Sequence, residues 1–164
     1  ARAIAWRHQP MTRARGHLVD EAATEALGAA LHRNQPASGC VHLIGDLGAG
    51  KTTLVRGWLR AAGHAGAVRS PTYTLVEPYA LIDPPIFHLD LYRLADAEEL
   101  EFIGLRDWVD AGLLLVEWPA RGAGVLPPPG LSVSLAAAGP GRDVTVESHS
   151  RDWPTAMQLI QAMQ

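Results

Sequence analysis

The stretch GDLGAGKTT at residues 45–53 contains the only lysine among the chain's 14 lysines and arginines. It satisfies Gly-x-x-x-x-Gly-Lys-Thr, the spacing of a phosphate-binding loop that leaves a strand and opens a helix. Each residue type has a task in that chemistry. Gly48 and Gly50 let the backbone curl, so that the amides from Leu47 through Ala49 to Thr53 turn toward phosphate oxygens at a helix N-terminus. Lys51 reaches the outer phosphates as a compact ammonium, where the planar fork of an arginine has a different shape. Thr52 supplies a hydroxyl to Mg²⁺, and Thr53 a further donor near the α-phosphate. The nucleotide is expected to be ATP, because the Asn-Lys-x-Asp motif that reads guanine in many GTPases needs a second lysine and none exists.

A phosphate loop needs an acid at the end of a neighbouring strand to hold the metal or its water. Two acids close apolar runs: Asp90 in IFHLD and Glu117 in LLLVE. Such residues are often only solvated strand ends. Beside a phosphate loop they read as a pair with divided work, one carboxylate on Mg²⁺ and the other orienting the attacking water. The residues do not say which does which. The segment SPTYT places Ser70, Pro71 and Thr72 where a loop sensing the γ-phosphate would lie, and reads equally well as a proline-stiffened entry into a strand.

These groups need a scaffold, and the chain alternates strand and helix signals. RARGHL reads as a short strand. DEAATEALGAALHR reads as a helix with Asp20 as N-cap and Ala23, Leu27, Ala30 and Leu31 at helical spacing. CVHLI is a buried strand, followed by the glycine loop and the helix TTLVRGWLRAAG, which Gly63 ends. TYTLVEPY and IFHLDLYRL read as strands joined by the turn ALIDPP, and DAEELEFIGLRDWVDAG as a broken helix. LLLVEW is another strand, LSVSLAA and DVTVESH a hairpin, and WPTAMQLIQAMQ a closing helix. This order predicts an α/β fold, mainly a parallel sheet with antiparallel additions and helices on both faces. Residues 1–11 fit no element and are unassigned; residues 12–164 form a single domain.

At 164 residues, 48% hydrophobic and 19% charged, the composition is that of one globular domain. A net charge of -3 and a pI near 6.2 leave little for an independent nucleic-acid footprint. The lone Cys40 cannot make an internal disulfide and reads as a buried strand residue of a reducing compartment. With no apolar run long enough to span a membrane and no signal-peptide pattern, a cytoplasmic protein without membrane partners is expected.

Four ordered blocks, GDLGAGKTT, SPTYTLVEPY, HLDLYRLADAEELEFIGLRDW and LVEW, resemble the bacterial TsaE family, formerly YjeE, from about Asp20 to Val146. The resemblance implies a three-layer α/β/α P-loop nucleotide fold and a Mg²⁺-dependent ATPase of tRNA threonylcarbamoyladenosine biosynthesis. It also implies work with the TsaD and TsaB proteins, whose complex modifies adenosine 37 of ANN-decoding tRNAs and which the ATPase resets. Carried over residue by residue, the nucleotide loop falls on residues 47–53, the metal ligands on Thr52 and Glu117, and the Walker-B-like acid on Asp90. Glu21 and the pair Gly141-Arg142 match nucleotide contacts, and Trp118 matches the tryptophan after the family's glutamate. Core packing is the competing reading of Trp118. The segment ARAIAWRHQPM is a departure from the family's usual start.

Two other functions compete with this reading. A small-molecule kinase would need an acceptor pocket and an arginine-rich lid, and WPARGAGVLPPPG offers only Arg121. A binding module with a vestigial loop is disfavoured because lysine, threonine and both acids are present.

Overall fold

The computed structural model describes residues 11–164, so all of the unassigned N-terminal segment except Met11 lies outside the described residues. Seven strands form one sheet in the order β1-β7-β6-β2-β5-β4-β3. They are β1 (Thr12–Leu18), β2 (Gly39–Ile44), β3 (Val76–Tyr79), β4 (Ile86–Asp90), β5 (Leu113–Glu117), β6 (Leu131–Ala138) and β7 (Gly141–Ser148). The four central strands β6, β2, β5 and β4 run parallel, and β3, β7 and β1 add antiparallel edges. The runs CVHLI, IFHLD and LLLVE lack polar alternation because both faces of these strands are covered.

Helices α1 (Glu21–Arg33), α2 (Lys51–Ala61) and α5 (Ala156–Ala162) cover one face. Leu27, Leu54, Trp58 and Leu159 pack there on Val41, Leu115 and Val133. The short helices α3 (Glu99–Phe102) and α4 (Leu105–Val109) cover the other, with Leu100 and Leu105 against Phe87, Leu89, Leu114 and Val116. The result is the three-layer α/β/α arrangement. Cys40 lies in this second cluster, where burial pushes its thiol up to about 12, so it is an uncharged packing group at neutral pH.

Local chemistry sets the helix ends. The Asp20 carboxylate accepts the Ala23 amide at 2.8 Å, capping α1, and Thr155 and Gln158 form a reciprocal capping box on α5. The segment expected to be a broken helix is divided into α3 and α4 at Gly104, which sits at φ 96°. Two predicted strands are shorter than expected. Leu75 sits at φ 67° and its amide donates to Pro71 at 2.8 Å, so residues 72–75 form a turn and β3 begins at Val76. After Asp90 the Tyr92 amide returns to the Asp90 carboxylate at 2.9 Å, which ends β4 before LYRL. At the first place a backbone carbonyl, and at the second the Asp90 carboxylate, takes the amide that a longer ladder would have used.

Helices α1 and α2 cross at glycines. A Cβ on Gly57 would overlap the Glu25 carbonyl, and one on Gly28 the Leu54 carbonyl. Because the obstacle is backbone, no rotamer change relieves it. Gly57→Ala is therefore expected to destabilise the fold by about 1–3 kcal/mol despite the better helix propensity of alanine. Urea unfolding measures this, and an unchanged midpoint would show that the two helices separate freely.

Candidate nucleotide site

β2 delivers the chain to the loop at residues 45–50. Gly48 at φ 76° and Gly50 at φ 105° hold backbone conformations that a side chain disfavours. Gly50 is the N-cap of α2 but has no side chain to cap it, so the amides that open the helix point into a cleft without a built-in acceptor. That cleft, of about 470 Å³, is lined by Glu21, Leu47, Gly48, Gly50, Lys51, Thr52, Thr53, Asp90, Glu117 and Arg142. Ser70, Thr72 and Trp118 complete its wall. Of the residues predicted from sequence, only Ala49 is turned away. Its methyl is buried in the core and its amide donates to Asp46 at 3.1 Å. A larger groove of about 1020 Å³ lies on the other side of the loop, but Pro127, Pro128, Pro129, Leu126 and Ile44 make it mainly apolar. Of the two, the smaller cleft has the polar lining that suits a phosphate.

The two acids meet through strand register. β4 and β5 are parallel neighbours that pair Asp90 with Glu117, so both carboxylates leave the same strand end on the face covered by α2. They are 4% and 3% exposed, and two adjacent buried carboxylates need donors to be tolerable. Asp90 has the Ser70 hydroxyl, the Thr72 hydroxyl at 3.1 Å and the Tyr92 amide. Glu117 has Ser70 at 3.3 Å, His88 Nε2 at 2.6 Å and the Thr52 hydroxyl 3.5 Å from each of its oxygens. SPTYT thus contributes a hydroxyl pair on the acids, and its proline stiffens a turn rather than a strand.

Lys51 is only 5% exposed. Its ammonium donates to the Gly45 carbonyl and lies 3.9 Å from the Trp118 ring centre. Burial pushes its pKa down, while Glu117, Asp90 and Asp46 pull it back up. Trp118 reaches this position because it leaves β5 at φ 57°, a strained conformation for a large residue, and it packs on Tyr92 at 5.1 Å. Trp118 is half-buried at the cleft wall, so packing and site contact are one role.

Arg142 enters from the start of β7, just after the turn from β6. Its donors hold the Ala49 carbonyl at 2.9 Å, the Gly48 carbonyl at 3.1 Å and its own neighbour Gly141 at 2.7 Å. It braces the loop from a distance of 94 residues in sequence. Glu21 pairs with Arg56, which also holds Glu25 at 2.8 Å. Sequence reasoning overlooked His88 and Arg56. The signal for His88 was available, a polar residue in the middle of the apolar run IFHLD.

Comparison with known proteins agrees with this frame. Residues 18–144 match the family described as threonylcarbamoyl adenosine biosynthesis protein TsaE. The tRNA threonylcarbamoyladenosine biosynthesis protein TsaE of Haemophilus influenzae is 55% identical over 96 residues, covering 58% of this chain and 61% of that protein. The chain thus spans less than two thirds of that relative's length. The protein of the same name from Rickettsia conorii is 35% identical over 121 residues, 73% of this chain and 69% of its own. The crystal structure of Bacillus subtilis YdiB superposes with a TM-score of 0.76 at 24% identity, over 94% of this chain and 96% of that one, and shares the fold. The matched residues carry the loop, both acids and Arg142 within a single family frame, and the chain belongs to the TsaE family.

Proposed function

We propose that the chain is a Mg²⁺-dependent ATPase that serves tRNA threonylcarbamoyladenosine biosynthesis, acting with the TsaB and TsaD proteins and meeting tRNA only through their complex. The observation that carries the reading is the register of β4 and β5, which sets Asp90 beside Glu117 at the foot of Lys51 and Thr52. A phosphate loop alone binds; a loop facing a paired acid is equipped to hydrolyse.

In this reading the amides of residues 47–53 other than Ala49, whose amide is held by Asp46, and the Lys51 ammonium bind the phosphates. Lys51 exchanges the Gly45 carbonyl for phosphate oxygens while staying near the Trp118 face. The donor set fits a hard cation: a hydroxyl and a carboxylate converge where Thr52 meets Glu117, and the nucleotide itself completes such a shell. Mg²⁺, when bound by Thr52 and Glu117 with Asp90 beside it, would neutralise charge on the phosphates. Asp90, fixed by Ser70, Thr72 and the Tyr92 amide, orients the attacking water. Glu21 and Arg142 contact the nucleotide at the outer wall, Arg142 while bracing the loop.

The mouth of the cleft has no long covering segment among the described residues, and an open, wet site weakens the electrostatics of phosphoryl transfer. Slow ATP hydrolysis by the chain alone and clear stimulation by the TsaB–TsaD complex are the expected results of a titrated ATPase assay. Binding of tRNA in a filter assay should require the same complex. Full activity without partners, or tight and steeply salt-dependent tRNA binding by this chain alone, would overturn the reading. Phosphate appearing on an added small-molecule acceptor instead of in water would move the assignment to a kinase.

A further inference from the structure

We infer that His88 is a positioning residue for Glu117, holding its Oε2 from beneath so that the carboxylate stays turned toward Thr52. The inference rests on the proposed role of Glu117 toward Mg²⁺ and deepens it.

The position is unusual for histidine. β4 is buried along its whole length, and His88 at its centre is 0% exposed. Burying an imidazole without need costs free energy that an aliphatic residue would avoid. Strand geometry gives the cost a purpose. His88 and Asp90 are two residues apart and share a face, and the β4–β5 register places His88 beside Leu115, two residues before Glu117. The imidazole therefore leans along the sheet toward the carboxylate, and its Nε2 meets Glu117 Oε2 at 2.6 Å.

The two glutamate oxygens have unequal surroundings. Oε2 is shared by His88, Ser70 at 3.3 Å and Thr52 at 3.5 Å, whereas Oε1 has only Thr52, also at 3.5 Å. The His88 contact is the shortest of these, and it comes from below the site, away from the cleft. The remaining ring nitrogen, Nδ1, is buried with no partner. A ring with its proton on Nε2 leaves only a lone pair unmatched at Nδ1, the less costly arrangement, and makes His88 the donor. A glutamate has three side-chain torsions to fix. Ser70 and Thr52 stand at the cleft, where an incoming nucleotide can draw them away, and His88 does not.

The test uses His88→Met, which keeps the volume and removes the donor, and His88→Gln, whose amide nitrogen can reach the same oxygen. ATP affinity is measured by calorimetry with Mg²⁺ and with chelator, alongside thermal unfolding. The expected result is a loss of about tenfold or more in the Mg²⁺-dependent part of ATP affinity for His88→Met, with chelator-state affinity unchanged and substantial recovery in His88→Gln. Equal affinities for wild type and His88→Met with Mg²⁺, or equal losses with and without it, would overturn the inference. A wild-type chain whose ATP affinity ignores Mg²⁺ would instead remove the parent assignment of Glu117. Should His88→Met not fold, the wild-type ring remains testable by ¹⁵N–¹H spectroscopy: an exchange-protected Nε2–H that shifts on Glu117→Gln supports the contact, and a ring protonated at Nδ1 alone refutes it.

Discussion

Lys51→Ala is expected to lower ATP affinity about 10- to 150-fold, the equivalent of about 1.5–3 kcal/mol for hydrogen bonding to a charged group. The ammonium is nearly buried, and three acids sustain its charge against desolvation. It is held in a pocket made by the Gly45 carbonyl and the Trp118 face. Binding exchanges the first contact for phosphate oxygens, so the variant loses the difference between the two, and the upper end of the range applies only if the carbonyl is cheaply released. Lys51→Arg is expected to fail as well, although it keeps the charge. A planar five-donor fork is longer and wider than the ammonium now held between the Gly45 carbonyl and the Trp118 face, at a residue only 5% exposed. Isothermal calorimetry decides the first case and an ATP hydrolysis assay the second. Unchanged affinity in the alanine variant would remove the site, and normal hydrolysis by the arginine variant would remove the account of why this one basic position is lysine.

The loop was legible in the sequence because its chemistry is local: glycines, lysine and threonine must be consecutive to surround a phosphate. The two acids were legible as candidates because each closes an apolar run. Their meeting was not, since it depends on β4 and β5 being parallel neighbours in register, a property of topology that residues 86–90 and 113–117 do not state separately. His88 was missed for a related reason. Its partner is 29 residues away, and within IFHLD it reads as an interruption of a strand. Arg142 shows the converse. Resemblance marked it as a nucleotide contact; what the structure shows is three hydrogen bonds to backbone carbonyls, two of them in the loop. The strand that came out too long, TYTLVEPY, failed where Thr72 gives its hydroxyl to Asp90 and the backbone turns to allow it. Local propensity lost there to a site contact.

On the proposed reading the two acids divide the work, and the division has a large expected effect. Asp90→Asn is expected to lower hydrolysis about a hundredfold or more while leaving ATP affinity nearly intact. Asparagine keeps an oxygen for the Tyr92 amide, and its amide nitrogen, in the place of Oδ2, can donate to the Ser70 and Thr72 hydroxyls, which turn from donor to acceptor, so the local structure should persist while the charge is lost. Thr52→Ala and Glu117→Ala should behave differently, weakening the Mg²⁺ dependence of ATP binding together, as two ligands of one ion do. The reason for the split is which hydroxyl each carboxylate faces. Glu117 shares the Ser70 hydroxyl with Asp90 but alone presents both oxygens to Thr52 on the helix that opens the phosphate loop, whereas Asp90 makes no hydrogen bond to that helix and is held by Ser70, Thr72 and its own strand end. A group facing the loop belongs with the phosphates and their cation; a group facing the turn belongs with what approaches from outside, the water. Nucleotide affinity and single-turnover hydrolysis, measured across a Mg²⁺ series for the three variants, separate the roles. Equal losses of binding in all three would mean that the two carboxylates act as one undivided cluster, and the assignment of water to Asp90 would fall.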